Sequence, residues 1–145
     1  MTHTEPVYGQ GDASFQAAGG LDGLDTLATH FYRYMDSLPE AKIIRDMHKS
    51  DMTVIHDQLK LFLAMWLGGP RLYREKYGPI RLPMVHQHLD IGEAERDAWL
   101  LCMSKALTHM DYKDDFKNYL LSQLSFPAER IRQVCQARIE ADSRS

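Results

Sequence analysis

The chain has 145 residues, 44% hydrophobic and 26% charged, with a formal net charge of −3 and a pI near 6.1. That length suits one domain with one core, and the apolar content excludes wholesale disorder. The slight acidity offers no general attraction for nucleic acid or anionic lipid. The longest apolar run, 61–67, is far too short to cross a bilayer. The N-terminal residues lack the basic flank and apolar stretch of a secretory signal. Cys102 and Cys135 belong to no zinc or redox motif and read as two reduced thiols in a cytoplasmic chain. A membrane protein, a disulfide scaffold and a basic nucleic-acid binder are set aside on these grounds, but no activity follows from them.

Glycine and proline are spread unevenly. Residues 40–67 and 93–126 contain neither, whereas Gly68, Gly69, Pro70, Gly78, Pro79, Pro83 and Gly92 crowd the stretch between. Long breaker-free windows favour an all-α fold, and no period-2 alternation or hairpin signal competes with that reading. Residues 1–18 are polar and irregular and read as an N-terminal extension; whether it folds against the body is left open. After Gly19-Gly20 a helix is predicted over about 21–37, with Leu24, Ala28, Phe31 and Met35 on one face. Leu38-Pro39 ends it, and a short helix follows at about 40–47. Ser50 or Asp51 can cap the next helix, where Ile55, Leu59, Phe62 and Trp66 recur at helical steps and read as core, and Gly68-Gly69-Pro70 stops it. The longest clean helix is expected at 92–110, striped by Trp99, Met103, Ala106 and Met110. A further helix at 113–124 follows, and Pro127 either kinks it or starts a last helix at about 128–139. Residues 68–91 read as one loose connection, and loops of that length are usually functional.

His86 lies in that connection, within Pro83-Met84-Val85-His86-Gln87-His88-Leu89. A single histidine in an apolar loop is ordinarily structural or exposed, and it has no partner at metal-ligand spacing. A metal carried by a cofactor needs only one protein ligand, and haem iron is the commonest such case. His86 and His88 are two residues apart, so at most one can face a cofactor.

Several segments together resemble the truncated haemoglobins, specifically their second group. These are Gly19-Gly20, Phe31-Tyr32, Leu61-Phe62-Leu63 leading to Trp66-Leu67-Gly68-Gly69-Pro70, then Tyr73, Tyr77-Gly78, Arg81-Leu82 and His86. The segment from Glu95-Arg96-Asp97-Ala98-Trp99 to Met103 completes the series. The resemblance covers about 20–125. It implies an all-α truncated globin at 19–145, a two-over-two helical sandwich around haem b, with 1–18 as its extension. The proximal helix of that fold is mostly an extended loop, which accounts for the breakers at 68–91.

The resemblance assigns His86 as the proximal iron ligand and Phe62, Leu59, Ile91 and Met103 as cofactor contacts. Without a Cys-x-x-Cys-His, the haem is held without thioether links. The stripe Ile55, Leu59, Phe62 faces the porphyrin in this reading, so polar contact with a bound gas must come from elsewhere. Tyr32 and Trp99 match distal positions of the second group, and their O–H and N–H can donate to dioxygen. On the residues alone, both are equally ordinary core aromatics. His48 departs from the family's usual aromatic residue and can donate to the ligand, reach the iron, or simply sit in a solvated loop. His56 reads as turned away from the site, and His3, His30 and His109 as surface or packing residues. Val85, Pro83 and His88 also depart from the family at the haem edge. Arg81, Tyr73 and Lys76 then remain as donors for a propionate.

The function expected is binding of dioxygen and other diatomics, with CO, NO or peroxide as further ligands. Bulk oxygen transport fits less well, because three polar distal groups hold O₂ tightly. The alternative is a redox enzyme, performing nitric oxide dioxygenation or peroxidase-like turnover with a separate reductase; the family alone does not decide between them. A haem-free helical sensor is the third reading, and the retention of His86 with the distal aromatics argues against it.

Overall fold

The computed structural model describes residues 8–47, 52–78 and 91–144. Among them the chain is helical, without a strand: α1 (Ala13–Ala17), α2 (Gly20–Ser37), a 3-10 turn (Pro39–Ala41), α3 (Lys42–Met47), α4 (Met52–Trp66), α5 (Leu72–Tyr77), α6 (Glu93–Leu107) and α7 (Asp114–Arg144). No helix among the described residues is long and apolar enough to cross a membrane.

The long helices form where breakers are missing. α2 begins after Gly19 and ends at Leu38, whose extended backbone is what the following proline demands. Its buried residues Leu24, Leu27, Ala28, Phe31 and Met35 recur at the helical period. That face receives both α4 and α6, and α7 packs on α6. Two helical pairs result, α2 with α4 and α6 with α7. Where they meet, Phe31, Leu63, Met103, Phe116 and Leu120 are at most 1% exposed. Each such side chain contributes about 1.5–3 kcal/mol by leaving water.

α4 ends in a tight reversal. The Gly68 N–H donates to the Met65 carbonyl at 3.1 Å and the Gly69 N–H to the Ala64 carbonyl at 2.8 Å. With Gly68 at φ +87° this is a Schellman motif. α6 opens with the Gly92 N–H on the Glu95 carboxylate at 3.2 Å. It closes three residues earlier than the periodicity predicts, because Thr108, His109 and Met110 donate to carbonyls only three residues back. Beside that turn the His30 and His109 rings stack 4.6 Å apart, and the Tyr34 hydroxyl lies 2.6 Å from His109 Nε2.

Three sequence expectations change. The stretch after Pro70 is not wholly loose: α5 forms there, pinned by Lys76 and Tyr77 to Asp57 of α4. Of the two readings of Pro127, the start of a separate last helix is excluded, since α7 runs through it. Phe116, Leu120 and Leu124 anchor the helix before Pro127, and Cys135 and the Glu129–Arg96 bridge hold it after. Trp66 is not core but 37% exposed, because the last residue of α4 lies at the margin against Phe62, ring centroids 5.7 Å apart.

Residues 8–18 fold against the body. Tyr8 packs on Phe116 and Tyr119 and donates to Asp115 at 3.0 Å. Phe15 enters the core, and its N–H reaches the Leu67 carbonyl at 3.1 Å. Tyr112 donates to the Ala18 carbonyl at 2.6 Å, and burial pushes its phenol pKa up to about 12.

Candidate functional site

The candidate site is built where α2, α4 and α6 face one another. α2 contributes Phe31 and Tyr32 as neighbours, one ring edge-on to the other at 4.9 Å. Phe31 is fully buried and also meets Trp99 of α6 at 5.0 Å. The phenol of Tyr32 and the indole of Trp99 therefore both pack on one anchored ring. From α4, Phe62 is 7% exposed, and from α6, Met103 is fully buried. Leu59, Tyr73, Tyr32 and Trp99 are partly buried side chains packed against the same core. Ile91, just before α6, is half-buried.

The Tyr32 hydroxyl donates to the Ile55 carbonyl at 3.5 Å, at the outer limit of a hydrogen bond. Burial raises its pKa far above that of an ordinary phenol. The group is thus a protonated donor at the outer limit of its bond to Ile55.

His56, adjacent to Ile55, faces α2. Its Nε2 lies 3.2 Å from both the Asp25 carbonyl and Thr29 Oγ1, and its Nδ1 is 3.7 Å from the Asp25 carboxylate. Lys60 approaches that carboxylate at 3.6 Å. Sequence reading had His56 pointing away from the site without identifying partners. The signal available was the spacing of Asp25, Thr29 and Tyr32, which places all three on one face of α2.

On the opposite side of α4, Asp57, Lys60 and Leu61 join Leu21, Leu72 and Lys76 around a cavity of about 410 Å³. Hydrogen bonds from Lys76 and Tyr77 hold the Asp57 carboxyl below its usual range. Helical steps of 100° place these α4 residues away from Ile55, Leu59 and Phe62, so this cavity is separate from the aromatic cluster.

Of the residues singled out in the sequence, Tyr32, Leu59, Phe62, Trp99 and Met103 share one packed region, and Tyr73 packs on the same core from α5. His86, His48 and Arg81 lie outside the described residues. Among the described residues no three histidines, cysteines or acids are grouped to hold a bare metal ion. The donor set instead fits a planar apolar group: α4 presents Ile55, Leu59, Phe62 and Trp66 as a stripe, with Ile55 and Leu59 half-buried and Trp66 exposed.

Comparison with known proteins agrees with this arrangement. Residues 13–133 match the model of the bacterial-like globin family. A group 2 truncated haemoglobin of Bacillus subtilis is 31% identical over 126 residues, spanning 87% of this chain and 92% of that protein. Among solved structures, the group II 2-on-2 haemoglobin of Agrobacterium tumefaciens superposes with a TM-score of 0.77 at 30% identity, covering 90% of this chain and 98% of that one. The truncated oxygen-avid haemoglobin from Bacillus subtilis gives 0.73 at 31% identity, covering 81% and 97%. The paired helices described above are the two-over-two sandwich of these structures.

Proposed function

Because the chain belongs to the bacterial-like globin family and, within it, to the group II truncated haemoglobins, we propose that it is a haem-b protein binding dioxygen, CO and NO at one iron ligated by His86. Leu59, Phe62, Ile91 and Met103 supply the apolar contacts of the macrocycle, and Tyr73 and Arg81 the donors to its carboxylates. Tyr32, Trp99 and His48 form the polar distal set. Haem, when bound, supplies an iron with one position left for a diatomic ligand.

The observation that carries this reading is that two partly buried donor-bearing rings, Tyr32 and Trp99, both pack on Phe31. A ligand that gains partial negative charge is held by such donors, and the apolar side chains around them exclude competing water. Burial keeps the Tyr32 phenol protonated, so it is available as a hydrogen-bond donor. The oxygen-avid relative from Bacillus subtilis supports tight oxygen retention rather than bulk transport. Sustained redox turnover would require a separate reductase as electron donor. Cys102 and Cys135 are both buried as thiols, which suits the cytoplasm.

Optical spectra of the purified protein, ferric, dithionite-reduced and reduced with CO, test the reading. A Soret band with a normal CO shift is expected, and His86→Ala should abolish it or the native spectrum. A low-spin reduced spectrum that becomes high-spin in His48→Ala would identify His48 as a sixth ligand. No Soret band, even after haem addition, would overturn the assignment.

A further inference from the structure

We infer that His56 is a positioning residue for Tyr32, a clamp between α2 and α4 that sets where the phenol hydroxyl can point. The inference rests on the proposed distal role of Tyr32 and adds a residue outside the haem-facing stripe.

The hydrogen-bond network fixes how His56 binds. Thr29 Oγ1 spends its proton on the Asp25 carbonyl, 3.0 Å away. Toward His56 the Thr29 oxygen is then an acceptor, and the Asp25 carbonyl can only be one. His56 Nε2, 3.2 Å from both, must therefore carry the hydrogen and share it between them. This commits the Nε2–H to α2 and leaves Nδ1 facing the Asp25 carboxylate at 3.7 Å, which Lys60 also approaches.

Both ends of the clamp adjoin the distal tyrosine. Asp25, Thr29 and Tyr32 stand at i, i+4 and i+7 on one face of α2. On α4 the carbonyl that accepts from Tyr32 belongs to Ile55, the residue preceding His56. Two contacts thus join the same point of α4 to the same face of α2. One is a histidine shared between two acceptors and the other a 3.5 Å phenol bond. The phenol bond is the weaker, so the helix spacing at this point is held chiefly by His56, which thereby sets where α2 presents the Tyr32 hydroxyl. A merely packed residue would not need a donor here; a clamp does.

The test uses haem-loaded protein and reads O₂ dissociation together with the C–O stretch of the CO complex. His56→Leu should speed O₂ release by about threefold or more, make it biphasic and broaden the stretch band, because a lost interhelical hydrogen bond leaves the phenol several positions. His56→Gln keeps an N–H donor at similar reach and should stay within about twofold of the parent. In a Tyr32→Phe background, His56→Leu should have no further effect on either readout. If His56→Leu fails to fold, Thr29→Val removes one acceptor at constant shape and should shift both readouts the same way, less far. A wild-type stretch and rate in His56→Leu or, failing that, in Thr29→Val would overturn the clamp. So would an undiminished His56→Leu effect in the Tyr32→Phe background. Should Tyr32→Phe itself leave ligand release unchanged, the distal assignment falls and the clamp with it. If Tyr32→Phe speeds release while His56→Leu is silent, only the clamp falls.

Discussion

Gly68→Ala tests whether the Gly-Gly-Pro segment is glycine-rich for a physical reason. Gly68 sits at φ +87°, where a side chain is strained, and an added Cβ would lie 2.0 Å from the Gly11 carbonyl oxygen and 3.4 Å from Asp12 Cα. Ordinary contact begins at 3.4 Å, so the Gly11 peptide must retreat by 3.4 − 2.0 = 1.4 Å. That movement pulls on α1, whose Phe15 is in the core and whose N–H is bonded to Leu67. The left-handed backbone costs an alanine about 1 kcal/mol, and overpacking against backbone adds about 1–3 kcal/mol. The expected loss is about 2–4 kcal/mol, or roughly 7–13 °C in Tm. Guanidinium unfolding followed by circular dichroism, on wild type and variant in the same haem-loaded state, measures it. Deleting residues 1–12 removes the obstacle, so in that background Gly68→Ala should cost only about 1 kcal/mol. A loss below about 0.5 kcal/mol in the full chain, or an equal loss in both backgrounds, would refute the argument.

Trp99→Phe keeps a ring against Phe31 while removing the indole N–H; stopped-flow O₂ release should quicken with only a small change in Tm. Arg132 and Arg96 hold the Glu129 carboxyl down to about 2, below its ordinary 4.5. Its stabilisation is present above pH 4.5 and lost as pH falls through 2, so the stability gap between wild type and Glu129→Gln should close over that acid window. Tyr112 has its phenol raised from 10 to about 12, so it stabilises below pH 10 and loses that contribution as pH climbs to 12. Alkaline difference spectra should lose a late-titrating phenol in Tyr112→Phe, with about 1 kcal/mol of stability lost at neutral pH. Leu63→Ala, at a fully buried position, should cost about 2–5 kcal/mol in urea unfolding.

The long helices were legible in the sequence because their windows contain no breakers and their apolar residues recur at the helical period. α2 and α4 both form where that pattern predicts them. α5 was hidden because six residues between Pro70 and Gly78 show too little periodicity to outweigh the breakers around them. The sequence leaves open whether Pro127 kinks α7 or starts a new helix, because proline's local cost is visible there, whereas the contacts that hold one helix through it come from α6 and the core. Trp66 carries the right period for burial, but a period cannot say which turn of a helix reaches the edge of its neighbours. Tyr32 and Trp99 look like any core aromatics until their order among the other family segments is considered. Their meeting through Phe31 depends on how α2 crosses α6. The His56 contacts were less visible still, since polar partners on two helices are decided by crossing geometry that no single helix encodes.

The docking of residues 8–18 also orders events during synthesis. Tyr8 and Asp115 are separated by 107 positions, and Tyr112 and Ala18 by 94. This segment therefore completes its seat only when α7 emerges, about 5–20 s later at ordinary ribosome speeds. Until then Tyr8 travels without the Phe116 and Tyr119 rings that cover it, while Phe15 can already meet Leu67 and α2, α4 and α6 can begin to associate. The strap is thus a late closure between segments about a hundred positions apart, and its attachment signals that the start of α7 has been made.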